Sequence, residues 1–202
     1  MLAVIDYGAS NLRSVVHALN YLGVADMRIV RTAHELRHAD KIILPGVGAF
    51  GAGMEQLRRQ SLDTAIRDAV YAGIPYLGIC LGMQFLFERS DEMGEHEGLG
   101  LLPGRVTRFP YHPQLKVPHM GWNQLQQRRP CILLNDIDTR NSAYFVHSYY
   151  CDPANPDDIV ATVDYGLPFT AVVQRENIYG VQFHPEKSQR TGLQLLQNFL
   201  EC

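Results

Sequence analysis

The first eighty residues alternate short apolar runs with helical stripes, and that rhythm leaves few folds open. Residues 2–6, 27–30, 41–44 and 76–79 read as strands. Between the first two, residues 11–22 carry Leu12, Val15, Val16 and Leu19 along one helical face. Between the last two, residues 54–71 read as helical, with a break near Gln60-Ser61. Strands separated by helices predict a parallel sheet covered on both faces, with functional loops at the carboxyl ends of its strands. Past Leu86 the pattern changes. Residues 90–104 are acidic and glycine-rich and read as a loop. Strand-like runs follow around Val106, Val117, 132–134, 144–150, 159–163 and 170–173, then a hairpin turn at Glu176-Asn177, a run at 179–183 and a closing helix over 192–200. One α/β domain spanning residues 1–202, with an antiparallel extension, is expected.

Composition narrows the chemistry by exclusion. A chain of 202 residues that is 46% hydrophobic and 19% charged can bury a full core in one domain. Its net charge of −3 and pI near 6.2 give no electrostatic footprint for nucleic acid or an anionic membrane. No apolar run approaches transmembrane length, and the N-terminus reads as a first strand rather than a signal peptide. Cys80, Cys131, Cys151 and Cys202 lack C-x-x-C spacing, so neither a disulfide framework nor a zinc knuckle is indicated. A reducing cytosol, where a free thiol survives, is the expected setting.

The stretch Tyr76-Leu77-Gly78-Ile79-Cys80-Leu81-Gly82-Met83-Gln84 reads as strand, sharp turn and helix start. Gly78-x-Cys80-x-Gly82 is the cysteine form of a nucleophile elbow. Such a turn lifts the thiol above the strand ends at a helix N-terminus, where free N–H groups favour thiolate. It also makes the Leu81 N–H a donor for an oxyanion. A lone buried cysteine is more often structural, so the elbow needs partners. Tyr179 to Lys187 supplies them: Pro185 pushes His184 into extended geometry, and residues two apart in an extended stretch share a side. His184 and Glu186 are thereby spaced as a base and the carboxylate that orients it, and a Cys–His–Glu triad is predicted.

Two familiar patterns are set aside. His34-Glu35-Leu36-Arg37-His38 matches H-E-x-x-H, but the segment begins after Thr32 and ends before the strand at 41. That is too short for the buried helix a zinc site needs, so a short exposed helix and no metal are expected. Gly46-Val47-Gly48-Ala49-Phe50-Gly51 matches G-x-G-x-x-G, but after the third strand, with no acidic residue ending the next one. Its glycines suit a second source of oxyanion N–H groups beside the elbow.

Gly-Ile-Cys-Leu-Gly-Met-Gln together with Gln-Phe-His-Pro-Glu resembles the class I (triad) glutamine amidotransferases, whose fold is flavodoxin-like. Further segments narrow the resemblance: Asp6-Tyr7-Gly8 with Asn11-Leu12-Arg13-Ser14, Leu44-Pro45-Gly46-Val47-Gly48-Ala49-Phe50, Pro118-His119-Met120-Gly121-Trp122-Asn123, and Tyr144-Phe145-Val146-His147-Ser148-Tyr149. Over essentially the whole chain these resemble the glutaminase subunits of imidazole glycerol phosphate synthase. The resemblance implies glutamine hydrolysis, with the ammonia passed to a (β/α)8-barrel cyclase in histidine biosynthesis and no cofactor. It assigns the nucleophile to Cys80, the base to His184 and the orienting carboxylate to Glu186. Oxyanion donors fall at Leu81 and among Gly46, Val47 and Gly48. Glutamine contacts fall on Gln84, Ser148 and Tyr149. A partner surface is implied at or near Asn11, Trp122, Tyr144 and Lys187. One departure is Ser10-Asn11, where the family commonly has Gly-Asn. Competing readings are a free-standing γ-glutamyl hydrolase of the same fold and a catalytically silent scaffold subunit.

Overall fold

The computed structural model describes residues 1–8, 11–111, 113, 115–138 and 142–202; Ser10 lies outside the described residues. The first half runs β1 (Leu2–Ile5), α1 (Leu12–Tyr21), β2 (Met27–Val30), α2 (Ala33–Leu36), β3 (Lys41–Gly46), α3 (Phe50–Arg59), α4 (Leu62–Tyr71), β4 (Tyr76–Cys80) and α5 (Leu81–Gln84). The second half runs β5 (Phe87–Ser90), β6 (His96–Glu97), β7 (Leu102–Arg108), β8 (His119–Gln124), β9 (Gln126–Gln127), β10 (Ser142–His147), β11 (Tyr149–Pro153), β12 (Ile159–Asp164), β13 (Pro168–Arg175), β14 (Ile178–Val181) and α6 (Gln189–Leu200). The helical region breaks at Gln60-Ser61 as expected, where Ser61 adopts a left-handed φ of 55°, although α3 begins earlier than its apolar stripe suggested.

The main sheet has the order β2-β1-β3-β4-β14-β13-β11-β7-β5-β6, with β12 and β9 joined through β13. Strands β2, β1, β3, β4 and β14 run parallel. From β14 to β13, β11 and β7 the pairing is antiparallel. Period-two alternation divides the core. Leu2, Val4, Ile43 and Leu77 face a layer with Val15 and Leu19 of α1 and Leu195, Leu196 and Phe199 of α6. Ala3, Ile5, Ile42 and Leu44 face Met54, Leu57, Leu62 and Ile66 of α3 and α4. The function-bearing consequence lies at the carboxyl ends of the central strands. Gly46 pairs with Cys80 across β3 and β4, and Ile79 with Val181 across β4 and β14. Three neighbouring parallel strands therefore deliver the glycine loop, the elbow and the His184 segment to the same sheet end.

Two expectations need correction. Residues 90–104 are not one loop: β6 and the start of β7 build the sheet edge there with β5. Acidic, glycine-rich composition hides an edge strand because edges favour charge over apolar packing. The run 132–134 is a 3-10 turn rather than a strand. Three apolar residues carry no period, and Asn198 Nδ2 on α6 donates to both Leu133 O (3.0 Å) and Asn135 O (2.7 Å), which holds the segment curled. Val117 likewise precedes β8 rather than belonging to a strand.

Candidate active site

Cys80 ends β4 at φ 56°, ψ −109°, a strained conformation for a residue with a side chain. The crowding that fixes this turn is visible at its flanking glycines. A Cβ on Gly82 would collide with the Leu44 carbonyl, and one on Gly78 with the carbonyl of Gly82. The helix behind the elbow, α5, is a single turn. Its macrodipole is correspondingly small, so the sequence reading gave the helix too large a part in holding a thiolate. The charge partner is His184.

His184 and Cys80 line the same cavity of about 310 Å³. A carboxylate only accepts, so His184 Nδ1–H donates to Glu186 Oε1 at 2.8 Å, leaving Nε2 for the cavity side. That nitrogen is buried and without a hydrogen-bond partner among the described residues. Burial opposes charging the ring, yet Cys80 and Glu186 on its two sides override it and lift its pKa to about 10. The pairing is the one expected, by a different backbone: His184 is extended at φ −98°, ψ 97°, but Glu186 sits in a 3-10 turn, Pro185–Lys187. Ser188 fixes the turn, its Oγ donating to His184 O (2.7 Å) and accepting from Tyr144 N (2.9 Å).

Leu81, Val47, Gly48, Gln84, Ser148 and Tyr149 all line the cavity, and Gly46 stands behind them against the Leu81 side chain. Gly48 has φ +95° and Val47 is partly exposed at the rim. Gln84 Nε2 donates to Tyr149 O (3.1 Å) and to Gln182 Oε1 (3.1 Å). Gln182 in turn directs its Nε2 at Cys80 Sγ (3.7 Å).

Several residues here had no role in the sequence reading. Gln182 could have been found, since it alternates with His184 in an otherwise apolar run. Glu92 lines the cavity from the stretch read as loop, and its Oε2 accepts from Phe50 N (2.6 Å), capping α3 in place of Ala49. Tyr7 buries its hydroxyl against Gly46 without a hydrogen-bond partner among the described residues; burial and then Cys80 push its pKa up. His147 Nδ1–H donates to Tyr149 O (2.8 Å), so its Nε2 must accept, and His119 Nδ1 is the donor at 3.0 Å. Burial lowers His119 to about 4 and, with His119 and His184 adding to it, His147 to about 3. Both rings are neutral braces for the Ser148-Tyr149 backbone.

Trp122, Tyr144 and Lys187 come together outside the cavity. β8 and β10 pair Trp122 with Tyr144, their rings meet edge-on at 5.7 Å, and Lys187 Nζ lies 5.9 Å over the Tyr144 ring. Trp122 is half exposed and Met120 more so. Asn11 does not join that cluster; it reaches Glu186 instead. The His34 to His38 segment starts in the capped single turn α2. Thr32 and Glu35 form a capping box, so the carboxylate a zinc site would use as base is committed to backbone N–H groups.

The family model for glutamine amidotransferase class-I matches residues 3–202. An imidazole glycerol phosphate synthase subunit HisH of Desulfitobacterium hafniense (strain Y51) is 50% identical over 199 residues, covering 98% of this chain and 93% of the relative. Its namesake in Syntrophotalea carbinolica is 48% identical over 204 residues, covering 98% of each. Among solved structures, a glutamine amidotransferase superposes with a TM-score of 0.74 at 20% identity, covering 98% of this chain and 97% of that one. PurLQS from Thermotoga maritima gives 0.74 at 20% identity, covering 99% and 97%. These two likenesses concern the fold.

Proposed function

Because the chain belongs to the class-I glutamine amidotransferase family, we propose that it is the glutaminase subunit of an imidazole glycerol phosphate synthase, as its relatives at 45–50% identity are named. The observation that carries the reading is a strained-elbow cysteine sharing one cavity with a buried His–Glu pair. Cys80, its proton already passed to His184 Nε2, attacks the carboxamide carbon of glutamine. The tetrahedral oxyanion meets the Leu81 N–H and an N–H from Gly46, Val47 or Gly48, each such donor worth ~3 kcal/mol. His184 then protonates the departing ammonia, and Glu186 keeps the imidazole in the required tautomer and stabilises its charge. Water, deprotonated by His184, cleaves the glutamyl thioester and releases glutamate. Gln84, Ser148 and Tyr149 hold the glutamine head group, and the Glu92 carboxylate suits its α-ammonium.

The ammonia goes to a (β/α)8-barrel cyclase docked over the exposed Met120, Trp122 and Lys187 and the half-buried Tyr144, with Asn11 nearby, for imidazole glycerol phosphate and aminoimidazole carboxamide ribotide formation. Cytoplasmic residence fits this role; among the described residues no helix is long and apolar enough to cross a membrane. Val47 at the cavity rim makes the loop a gate: the isolated chain is nearly idle, and the cyclase with its nucleotide turns an oxyanion N–H into place. Glutamate release by the chain alone, then with cyclase, then with nucleotide, tests this. Stimulation that vanishes in Cys80→Ala is expected. Full activity without a partner would instead mark a free-standing hydrolase, and no activity under any condition a scaffold.

A further inference from the structure

Asn11 sits at the N-cap position of α1, where an asparagine side chain ordinarily accepts a backbone N–H from the first turn. It makes no such bond. Its side chain turns away from its own helix toward a residue 175 positions along the chain: Nδ2 donates to Glu186 Oε1 at 2.8 Å. Because a carboxylate only accepts, the amide's orientation is fixed, and Oδ1 takes the Ser14 hydroxyl at 3.1 Å. The Glu186 side chain is wholly buried. Its Oε1 accepts from both His184 and Asn11, while Oε2 has no partner among the described residues. Lys187, the nearest cation in sequence, lies over the Tyr144 ring.

We propose that Asn11 is a positioning residue of the glutaminase reaction, holding the Glu186 carboxylate against His184 at the cost of capping its own helix. The proposal rests on the Cys80–His184–Glu186 reading above. Asn11 does not line the cavity, so it acts through Glu186: a carboxylate held on two sides keeps the imidazole aimed at Cys80, and one held by His184 alone swings with it.

The test is steady-state glutamate release by the complex with saturating cyclase and nucleotide, across glutamine concentration and pH. Asn11→Ala and Asn11→Ser are each expected to lower kcat on the order of 10- to 100-fold, the loss of one hydrogen bond to a charged group, with KM changed by about twofold or less. Serine caps a helix as well as asparagine does but cannot reach Glu186; wild-type kcat in Asn11→Ser overturns the proposal. Asn11→Asp separates the roles by pH. Protonated, its carboxyl donates to Glu186 as the amide does; ionised, it repels. Its kcat relative to wild type is expected to fall as pH rises, whereas a capping role predicts a ratio that stays flat or climbs, since ionised aspartate favours a helix start. The rate of Cys80 alkylation by iodoacetamide in the isolated chain, expected to fall about tenfold in Asn11→Ser, removes docking from the measurement. Wild-type glutamate release that survives Cys80→Ala removes the triad reading and this proposal with it. Release that needs Cys80 but is indifferent to Asn11→Ser removes the proposal alone.

Discussion

Two neutral, buried histidines make this fold sensitive to acid in a window that carboxylates do not reach. In the unfolded chain His119 and His147 charge below pH 6.5, but in the fold burial holds them to about 4 and about 3. Above pH 6.5 neither ring is charged in either state, and the pair contributes no slope. As pH falls from 6.5 toward 4, the unfolded chain binds protons that the folded chain refuses, so stability is lost. The slope is about 1.4 kcal/mol per pH unit for each ring. Between pH 6.5 and 5 the pair therefore costs about 4 kcal/mol, a large part of the 5–15 kcal/mol typical of a domain. His184 acts on the other side: raised to about 10, it contributes stability that is complete below pH 6.5 and lost as pH climbs through about 10. It adds nothing to the acid window. His119→Asn removes one titrating ring while keeping an amide donor where Nδ1 now serves His147. Urea unfolding followed by far-UV circular dichroism, at pH 7.5 and 5.0, compares the two proteins. The drop between these pH values is expected to be smaller in the variant by about 2 kcal/mol, with the m-value unchanged. An equal drop in both proteins, or a wild type that does not respond to acid here, refutes the reasoning.

Other outcomes follow from single contacts. Gly82→Ala places a methyl against the Leu44 carbonyl; a cost of about 1–3 kcal/mol and a melting point lower by several degrees are expected, and an unchanged melting point contradicts the packing. Glu92→Gln keeps an acceptor for Phe50 N but removes the cavity's negative charge. KM for glutamine is expected to rise roughly tenfold with little change in melting temperature, and an unaltered KM argues against an ammonium contact. Iodoacetamide at neutral pH is expected to modify Cys80 first by peptide mapping, because burial raises the pKa of Cys131, Cys151 and Cys202. Labelling of Cys151 at a matching rate would count against this.

What could be read from the chain was whatever local geometry dictates. The elbow around Cys80 needs glycines within two residues, and His184 and Glu186 lie two apart, so both are written in contiguous sequence. The parallel half of the sheet was legible because its buried strands leave apolar runs. Edge strand β6 was not, since pairing there is backbone work that charged residues allow. Long-range contacts left no trace either. Nothing near Asn11 points to Glu186, and His119 and His147 become a pair only when β8 and β10 align them. The chain order of His184 and Glu186 was right while the turn between them was not: the 3-10 geometry follows from Ser188 tying His184 to β10.

The ribbon of β8 and β10 is one strand-layer thick and has two occupations. Met120, Trp122 and Tyr144 share the outward face, whose next position, Val146, reaches the rim of the glutamine cavity, while His119, Phe145 and His147 face the core. Since a slip of one residue exchanges the faces of a strand, an insertion or deletion of one residue in this ribbon would put the histidines in water and the tryptophan in the core. The outer face is thus free to evolve by side-chain replacement, or by length changes in steps of two. Changes of partner preference in descendants of this chain are expected at alternate positions, with the parity of the strand lengths inherited unchanged.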